Sequence, residues 1–417
     1  MRVLMALEHH FARGPDGRVY GESSSSYALW ARRLEVFDEV AVLARVRPVD
    51  APRDNMTRAD GPGVSFFDLP DYHGPRGYLR ELSELKRRTR AAIEASDTSI
   101  LRLPGLVSRL AWAELKRLRQ PYAVEVVGDP WDALGPSTWP SPLWPIFRLV
   151  ATQSQKKICA GASAIHYLTQ RALQRRYPPA PGAYVAAYSD ALLDSAFAPP
   201  DILAERAERI AARATEAGRT AKPFRVGFIG SLAQMYKGPD VLLRAGQACL
   251  RTGMKLELRF AGGGLQLEAM QKLAQELEMG DRAVFLGHLA FGGAVRDFVD
   301  SLDLLVMPSR AEGLPGAMLE AMARGCPCLG SRVGGIPELL AEEDLLPIGD
   351  PQALAGKMIQ VARDPERLHR MSARNLERVR EFRPEALQKA RREFYRSVRQ
   401  KTEAARGNNG EQSPYLR

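Results

Sequence analysis

The segment from Leu304 to Leu340 limits the folds open to this chain more than any other. It begins with an apolar run, Leu304-Leu305-Val306-Met307, which Pro308 stops. A strand with no polar face has to be buried on both sides, the condition of a central strand in a parallel sheet covered by helices. Such a strand delivers its loop at the carboxyl end, where open α/β sheets hold ligands. The loop reads Ser309-Arg310-Ala311-Glu312-Gly313-Leu314; Pro315 then opens a helix through Ala323, and Gly325 ends it. One carboxylate, Glu312, therefore sits on the loop, and another, Glu320, inside the helix. Taken singly, Glu312 also fits a solvated loop charge and Glu320 a complement to its own helix dipole. Together with a helix N-terminus, the two suit a ligand carrying both hydroxyls and phosphates.

The same alternation of strand and helix extends over the chain. Arg2–Leu7 predicts a first strand, with a polar loop from Glu8 to Ser26; Glu39–Val46, Val64–Phe67, Thr98–Leu103, Tyr122–Val127 and Ala164–Thr169 predict further strands of a first sheet. A second series starts at Phe224–Gly230 and continues through Lys255–Phe260, Ala283–His288 and Leu304–Met307. Between them, Phe197–Lys222 carries prolines and an Ala/Glu/Arg-rich helix with alternating charges, which predicts a solvent-exposed linker without chemistry. At 417 residues the chain is long enough for two cores. The expected fold class is α/β, with two Rossmann-like domains facing each other across a cleft: residues 1–196, a linker at 197–222, and residues 223–384. The amphipathic stretch 385–400 follows, and 401–417 is expected as a flexible tail.

The Leu304–Leu340 segment resembles the donor-binding signature of retaining glycosyltransferases of family 4, a group 1 glycosyltransferase family with the GT-B fold. The pattern E-G-x-P-x4-E-A-M-A-x-G-x-P is met by Glu312, Gly313, Pro315, Glu320, Ala321, Met322, Ala323, Gly325 and Pro327, and G-G-x-P-E by Gly334, Gly335, Pro337 and Glu338. The family's other signature, G-R-L-x4-K-G, is met at Gly230, Leu232, Lys237 and Gly238, but Ser231 stands where the family has Arg. One cation of the usual diphosphate clamp is therefore missing. The resemblance implies transfer of a hexosyl group from a nucleotide-sugar to an acceptor hydroxyl, with retention, without a cofactor and without a metal.

By the same resemblance Lys237 and the helix N-terminus at Pro315 to Ala317 stabilise the diphosphate, Glu312 holds the sugar hydroxyls, Glu320 the ribose, and backbone groups near Gly287-His288 flank the base. Gly230, Ser231, Gly262, His288, Gly313, Leu314, Pro315 and Gly316 complete the donor-binding set. Asp129, at a strand end of the first domain, occupies about the position where the family often has a His or Asp near the reacting sugar; capping the turn before Pro130 is its competing reading. The catalytic set is thus Asp129, Lys237 and Glu312. The stretch 385–400 is expected to cross back onto the first domain. Gly262-Gly263-Gly264 does not make a dinucleotide fingerprint, because Leu267 stands where the third glycine belongs. A relative that binds nucleotide-sugars without turnover is the second reading, motivated by Ser231.

The net charge of +10 points to an anionic partner, and its distribution says more than its size. Between Asp132 and Asp190 there is no acidic residue, whereas Arg148, Lys156, Lys157, Arg171, Arg175 and Arg176 are basic, with Trp139, Trp144, Phe147 and Tyr167 interleaved. A solvated basic face is the ordinary reading. The sharper one is a surface for anionic lipid, with a saccharide or lipid-linked acceptor in polysaccharide or glycolipid synthesis and no role for nucleic acid. No apolar run is long enough to span a bilayer, and the first residues do not make a secretory signal, so the expected location is the cytoplasm, at the inner face of the membrane. Cys159, Cys249, Cys326 and Cys328 are expected as buried thiols.

Overall fold

The computed structural model describes every residue except 23–24, 54–55, 136–141, 194–195, 216–221, 291 and 412–417. Trp139 lies outside the described residues. The strands of the first domain are β1 (Arg2–Arg13), β2 (Val19–Glu22), β3 (Glu39–Pro48), β4 (Met56–Arg58), β5 (Val64–Leu69), β6 (Thr98–Leu103), β7 (Ala123–Val126), β8 (Ala164–Tyr167) and β9 (Tyr184–Ala187). Seven of them form a parallel sheet in the order β5-β3-β1-β6-β7-β8-β9. The second domain holds β10 (Phe224–Ile229), β11 (Leu256–Ala261), β12 (Ala283–Phe285), β13 (Leu304–Met307), β14 (Cys328–Ser331) and β15 (Leu345–Leu346), all parallel, in the order β12-β11-β10-β13-β14-β15. Every residue of β13 and β14 is buried, as their lack of a polar face requires.

Each sheet has one place where the order turns back, and there the loops at the carboxyl ends diverge to leave a crevice. In the second sheet it lies between β10 and β13, in the first between β1 and its neighbours β3 and β6. The two loops expected to hold a donor, after β10 and after β13, thus belong to adjacent strands.

Four sequence expectations are corrected. Beyond Leu7 the chain does not enter a loop: β1 shifts register between Ala6 and His10, continues to Arg13 with Phe11 and Ala12 buried, and turns into the antiparallel strands β2 and β4. The first sheet does not close at Ala164–Thr169, because β9 adds an edge strand. The linker helix, Pro200–Ala211, is not a solvated element: Arg206 is 2% exposed and donates to the carbonyls of Val299 (3.0 Å), Leu302 (2.8 Å) and Arg324 (3.0 Å). Arg209 reaches Asp300 O and Leu302 O, and Arg213 pairs with Asp303 at 2.7 Å. The arginines that read as solvated charges instead bind main-chain carbonyls at and just after helix ends, and the Asp303 carboxylate.

The last helix, Pro384–Glu411, runs past its expected end near 400 and so takes in 401–411 of the expected tail. It crosses to the first domain, where Phe394, Tyr395 and Val398 join the core, Thr402 Oγ1 donates to Thr98 Oγ1 at 2.9 Å, and Arg406 pairs with Asp97 at 2.7 Å. Beneath it lies a buried charge network. Glu125 of β7 accepts from Arg33 (3.2 Å), Arg102 (2.8 Å) and Tyr395 (3.2 Å), and Arg102 also holds Asp190 at 2.8 Å.

Candidate functional site

At the β10–β13 crevice two loops are locked together by backbone contact. Gly238 adopts φ +73°, and a Cβ there would lie 2.1 Å from the carbonyl oxygen of Pro308, so only glycine lets the loops meet. Arg310 N donates to Tyr236 O at 2.6 Å, and its guanidinium binds Met235 O at 2.9 Å and both oxygens of Asp240 at 2.8 and 2.6 Å. This clamp sets Lys237 against Glu312. Lys237 Nζ donates to Oε1 at 2.8 Å and to Oε2 at 2.6 Å, and Ser309 Oγ donates to Oε2 at 3.1 Å. Burial disfavours the Lys237 ammonium, but the Glu312 carboxylate outweighs it and the pKa is raised. The two residues assigned to phosphate and to sugar hydroxyls therefore hold each other.

The neighbouring strand ends are stitched in the same way. A Cβ on Gly262 would fall 1.9 Å from Gly230 O, and one on Gly264 2.2 Å from Ala233 N. Leu232 N donates to Gly263 O at 2.9 Å and Gly262 N to Gly287 O at 2.7 Å. Gly230, Gly262 and Gly287 thus lie side by side, with His288 exposed next to Gly263. Ser231 spends its hydroxyl within its own turn, accepting from Ala233 N at 3.2 Å.

Glu320 sits in the helix Gly316–Ala323 and borders a small cavity of about 20 Å³ shared with Leu192, Ala196, Gly292, Val295 and Arg324. No hydrogen bond or ion pair among the described residues engages its carboxylate, and burial pushes it up to about 7. The helix begins at Gly316, with Pro315 as its cap. Gly316 faces Ala191, and a Cβ on Gly313 would approach Val127 O to 2.6 Å, so the Glu312–Gly316 loop lies against the first domain, and Leu314 is buried. Gly335 N donates to Gly313 O at 2.7 Å from the other side.

Glu338, the last residue of the second pattern, crosses the cleft. Its carboxylate accepts N–H bonds from Gln170 (2.6 Å), Arg171 (2.9 Å) and Ala172 (2.7 Å), at the start of the first-domain helix Ala172–Arg176. Asp129 is engaged by residues of its own domain. Its side chain accepts from Trp131 N at 2.8 Å to cap the turn at Pro130, pairs with Arg176 and takes a hydrogen bond from Tyr177. The structure thus brings Lys237 and Glu312 together, while the side-chain bonds of Asp129 go to Trp131 N, Arg176 and Tyr177, the first of them a cap of the turn at Pro130.

Sequence reasoning missed a polar group at the first sheet's own turning point. Glu8 accepts from Val107 N (2.9 Å) and Tyr72 (2.9 Å) and pairs with Arg45 at 3.0 Å; His10 bonds Asp71 at 2.6 Å and stacks on His73. His9 is reachable by solvent yet set among dense protein atoms, and desolvation with the Arg102 and Arg45 charges lowers its pKa to about 4. Its imidazole is neutral near pH 7. Two adjacent histidines just past the apolar run Val3–Leu7 were the available signal.

Residues 213–378 match the family "Glycosyl transferases group 1". Protein CapJ of Staphylococcus aureus is 27% identical over 77% of this chain and 76% of its own length. Among solved structures, a sucrose-phosphate synthase from Thermosynechococcus elongatus aligns with TM-score 0.67 and 19% identity, covering 95% of this chain and 99% of that one. Anabaena Alr3699/HepE in complex with UDP-glucose aligns with TM-score 0.60 and 17% identity over 98% and 100%. These structural likenesses establish the GT-B fold.

Proposed function

We propose that this chain, a group 1 glycosyltransferase working from a nucleotide-sugar donor, passes the sugar with retention of configuration to an acceptor hydroxyl held by the first domain. The observation that carries the reading is the Lys237–Glu312 pair at the turning point of the second sheet, beside the N-terminus of Gly316–Ala323. A donor entering here gives each partner a replacement. Its diphosphate takes over Lys237, with the N–H groups of the helix start, and its sugar hydroxyls take over Glu312. Glu320 accepts from the ribose hydroxyls.

As the bond to the sugar breaks, negative charge grows on the departing diphosphate, and Lys237 with the helix N-terminus stabilises it most at that point. The acceptor hydroxyl attacks from the face the diphosphate is leaving. In this scheme the cationic and amide groups do what a metal ion does elsewhere. Since the Anabaena neighbour was solved with UDP-glucose, a uridine nucleotide is the first donor to test.

The acceptor belongs to polysaccharide or glycolipid synthesis in this reading, at an anionic membrane face. Supporting it, the helix Trp144–Ala160 and the residue before it leave Leu143 (51%), Ile146 (61%), Phe147 (42%) and Val150 (49%) exposed, at the spacing of one helical stripe. Lys157, Arg171 and Arg175 are exposed nearby in sequence, whereas Arg176 is held by Asp129 and Asp132 and leaves the proposed basic set. No helix among the described residues is long and apolar enough to cross a membrane.

Ser231 favours the second reading, a binder of nucleotide-sugars without turnover, because the turn bears a hydroxyl where the family has a cation. A thermal-shift panel of nucleotide diphosphates and their sugars identifies the donor, and release of labelled sugar to water or acceptor separates the two readings. Stabilisation by a nucleotide-sugar with turnover lost in Lys237→Ala supports transfer; turnover unchanged in Lys237→Ala refutes the mechanism.

A further inference from the structure

A cavity of about 110 Å³ lies away from the donor crevice, where the crossing helix Pro384–Glu411 meets the first domain. Arg32 and Glu35 wall it from the first domain, Leu193 from the segment leading to the linker, and Gln388, Arg391 and Arg392 from the crossing helix. Glu35 is matched by Arg392 at 2.8 Å and by Gln388 at 3.1 Å. Arg391 is only 8% exposed and lies over the Tyr188 ring at 5.6 Å, yet no hydrogen bond or ion pair among the described residues engages its guanidinium.

An arginine side chain buried to this degree keeps little of its hydration, so its N–H groups call for acceptors. The cavity beside it has room for a few atoms, and Arg391 is set beside Arg32 and the Arg392–Glu35 pair in its wall. The flat donor fork of arginine fits the oxygens of a phosphoryl group in pairs. We propose that this cavity binds a phosphoryl dianion, as free phosphate or as the phosphate of a small monoester, with Arg391 as its principal ligand.

The position gives the site a consequence for the crevice. Ala191 borders the cavity and also faces Gly316 at the start of the donor-side helix, while its neighbour Leu192 borders the cavity of Glu320. One short segment therefore separates the anion from the donor site, and an occupant holds that segment against the crossing helix.

The test is calorimetric titration of the full chain with inorganic phosphate and, separately, with a hexose 6-phosphate, in the absence of donor. Binding is expected in the wild type, unchanged in Lys237→Ala, and weakened by about tenfold to hundredfold in Arg391→Gln, as the loss of a charge-assisted hydrogen bond gives. Arg391→Lys should fall between them. A hexose phosphate that binds more tightly than inorganic phosphate identifies a monoester as the occupant, and equal affinities identify free phosphate. Absence of binding in the wild type, undiminished binding in Arg391→Gln, or loss of binding in Lys237→Ala overturns the proposal. Should Arg391→Gln fail to fold, Arg391→Lys takes its place, with weakened binding supporting the proposal and undiminished binding overturning it. Because the readout is phosphate binding without donor, and Lys237→Ala removes the donor's own phosphate ligand, neither result bears on the glycosyltransferase reading.

Discussion

Lys237 and Glu312 form the pair whose disturbance says most about the site. Both side chains are largely buried, at 15% and 8% exposure, and the ammonium reaches both carboxylate oxygens. Changing Glu312→Gln leaves a cation without its counter-charge, and changing Lys237→Met leaves a carboxylate in the same state. Removing one partner of a buried pair costs about 3–5 kcal/mol; the residual exposure here places each single variant near the lower end, about 3 kcal/mol. The double variant has no orphaned charge and should lose little more than either single one, so the coupling is about 3 kcal/mol.

Urea denaturation of the four proteins at pH 7.5 measures this cycle. The pH is suitable because a lysine whose folded pKa is raised keeps its full contribution below its unfolded value and loses it only as pH climbs through the folded one. A saturating nucleotide diphosphate should then shrink the coupling, because phosphate replaces Glu312 as the partner of Lys237. Additive single costs, with a coupling below about 0.5 kcal/mol, would show that the pair does not form in solution and would remove the basis for the exchange of partners.

Four further outcomes are expected. Burial raises Glu320 from 4.5 to about 7, so the folded state holds a proton that the unfolded state has released; wild-type stability should fall relative to Glu320→Gln as pH rises from about 4.5 to about 7, by at most about 3 kcal/mol, and parallel pH curves would refute it. Nucleotide binding should strengthen over the same rise, as the carboxylate becomes able to accept ribose hydroxyls. Glu338→Gln should speed amide hydrogen exchange at Gln170, Arg171 and Ala172 by about tenfold or more, with nucleotide diphosphate affinity little changed; unaltered exchange would mean that Glu338 does not bridge the domains. Sedimentation with anionic vesicles should fall when Ile146 and Val150 are changed to Gln, and also when Lys157 and Arg175 are, each basic residue contributing about 1 kcal/mol; equal binding to neutral vesicles would point to a soluble acceptor.

The parts legible in the sequence were those fixed by local pattern. β13, its loop and its helix follow from an unbroken apolar run, a proline and a glycine, and they stand within a residue of where those signals place them. Lys237 and Glu312 were both nameable, but nothing local could pair residues so far apart in the chain; the close approach of Gly238 to Pro308 does that. Asp129 shows the opposite failure: its position at a strand end was right, and its partners Arg176 and Tyr177 come from a helix turn far downstream. The linker arginines were misread because alternating charge looks the same whether its partner is water or a helix-end carbonyl. β9 is short, with Ala186 its only buried residue, too weak a period to declare a strand.

The crossing helix has a consequence for how the chain is made. The first domain emerges from the ribosome first, but Phe394, Tyr395 and Val398, which complete its core, come from near the other end of the sequence. Until they arrive, the face of β7 and β8 that carries Glu125 and His166 has neither the Tyr395 hydroxyl nor the Phe394 ring against it. The domain therefore waits, unfinished and with an apolar seam open, through synthesis of the whole donor half. A chain cut short before Pro384 would release a donor domain with its own sheet complete and a first domain that is prone to self-association.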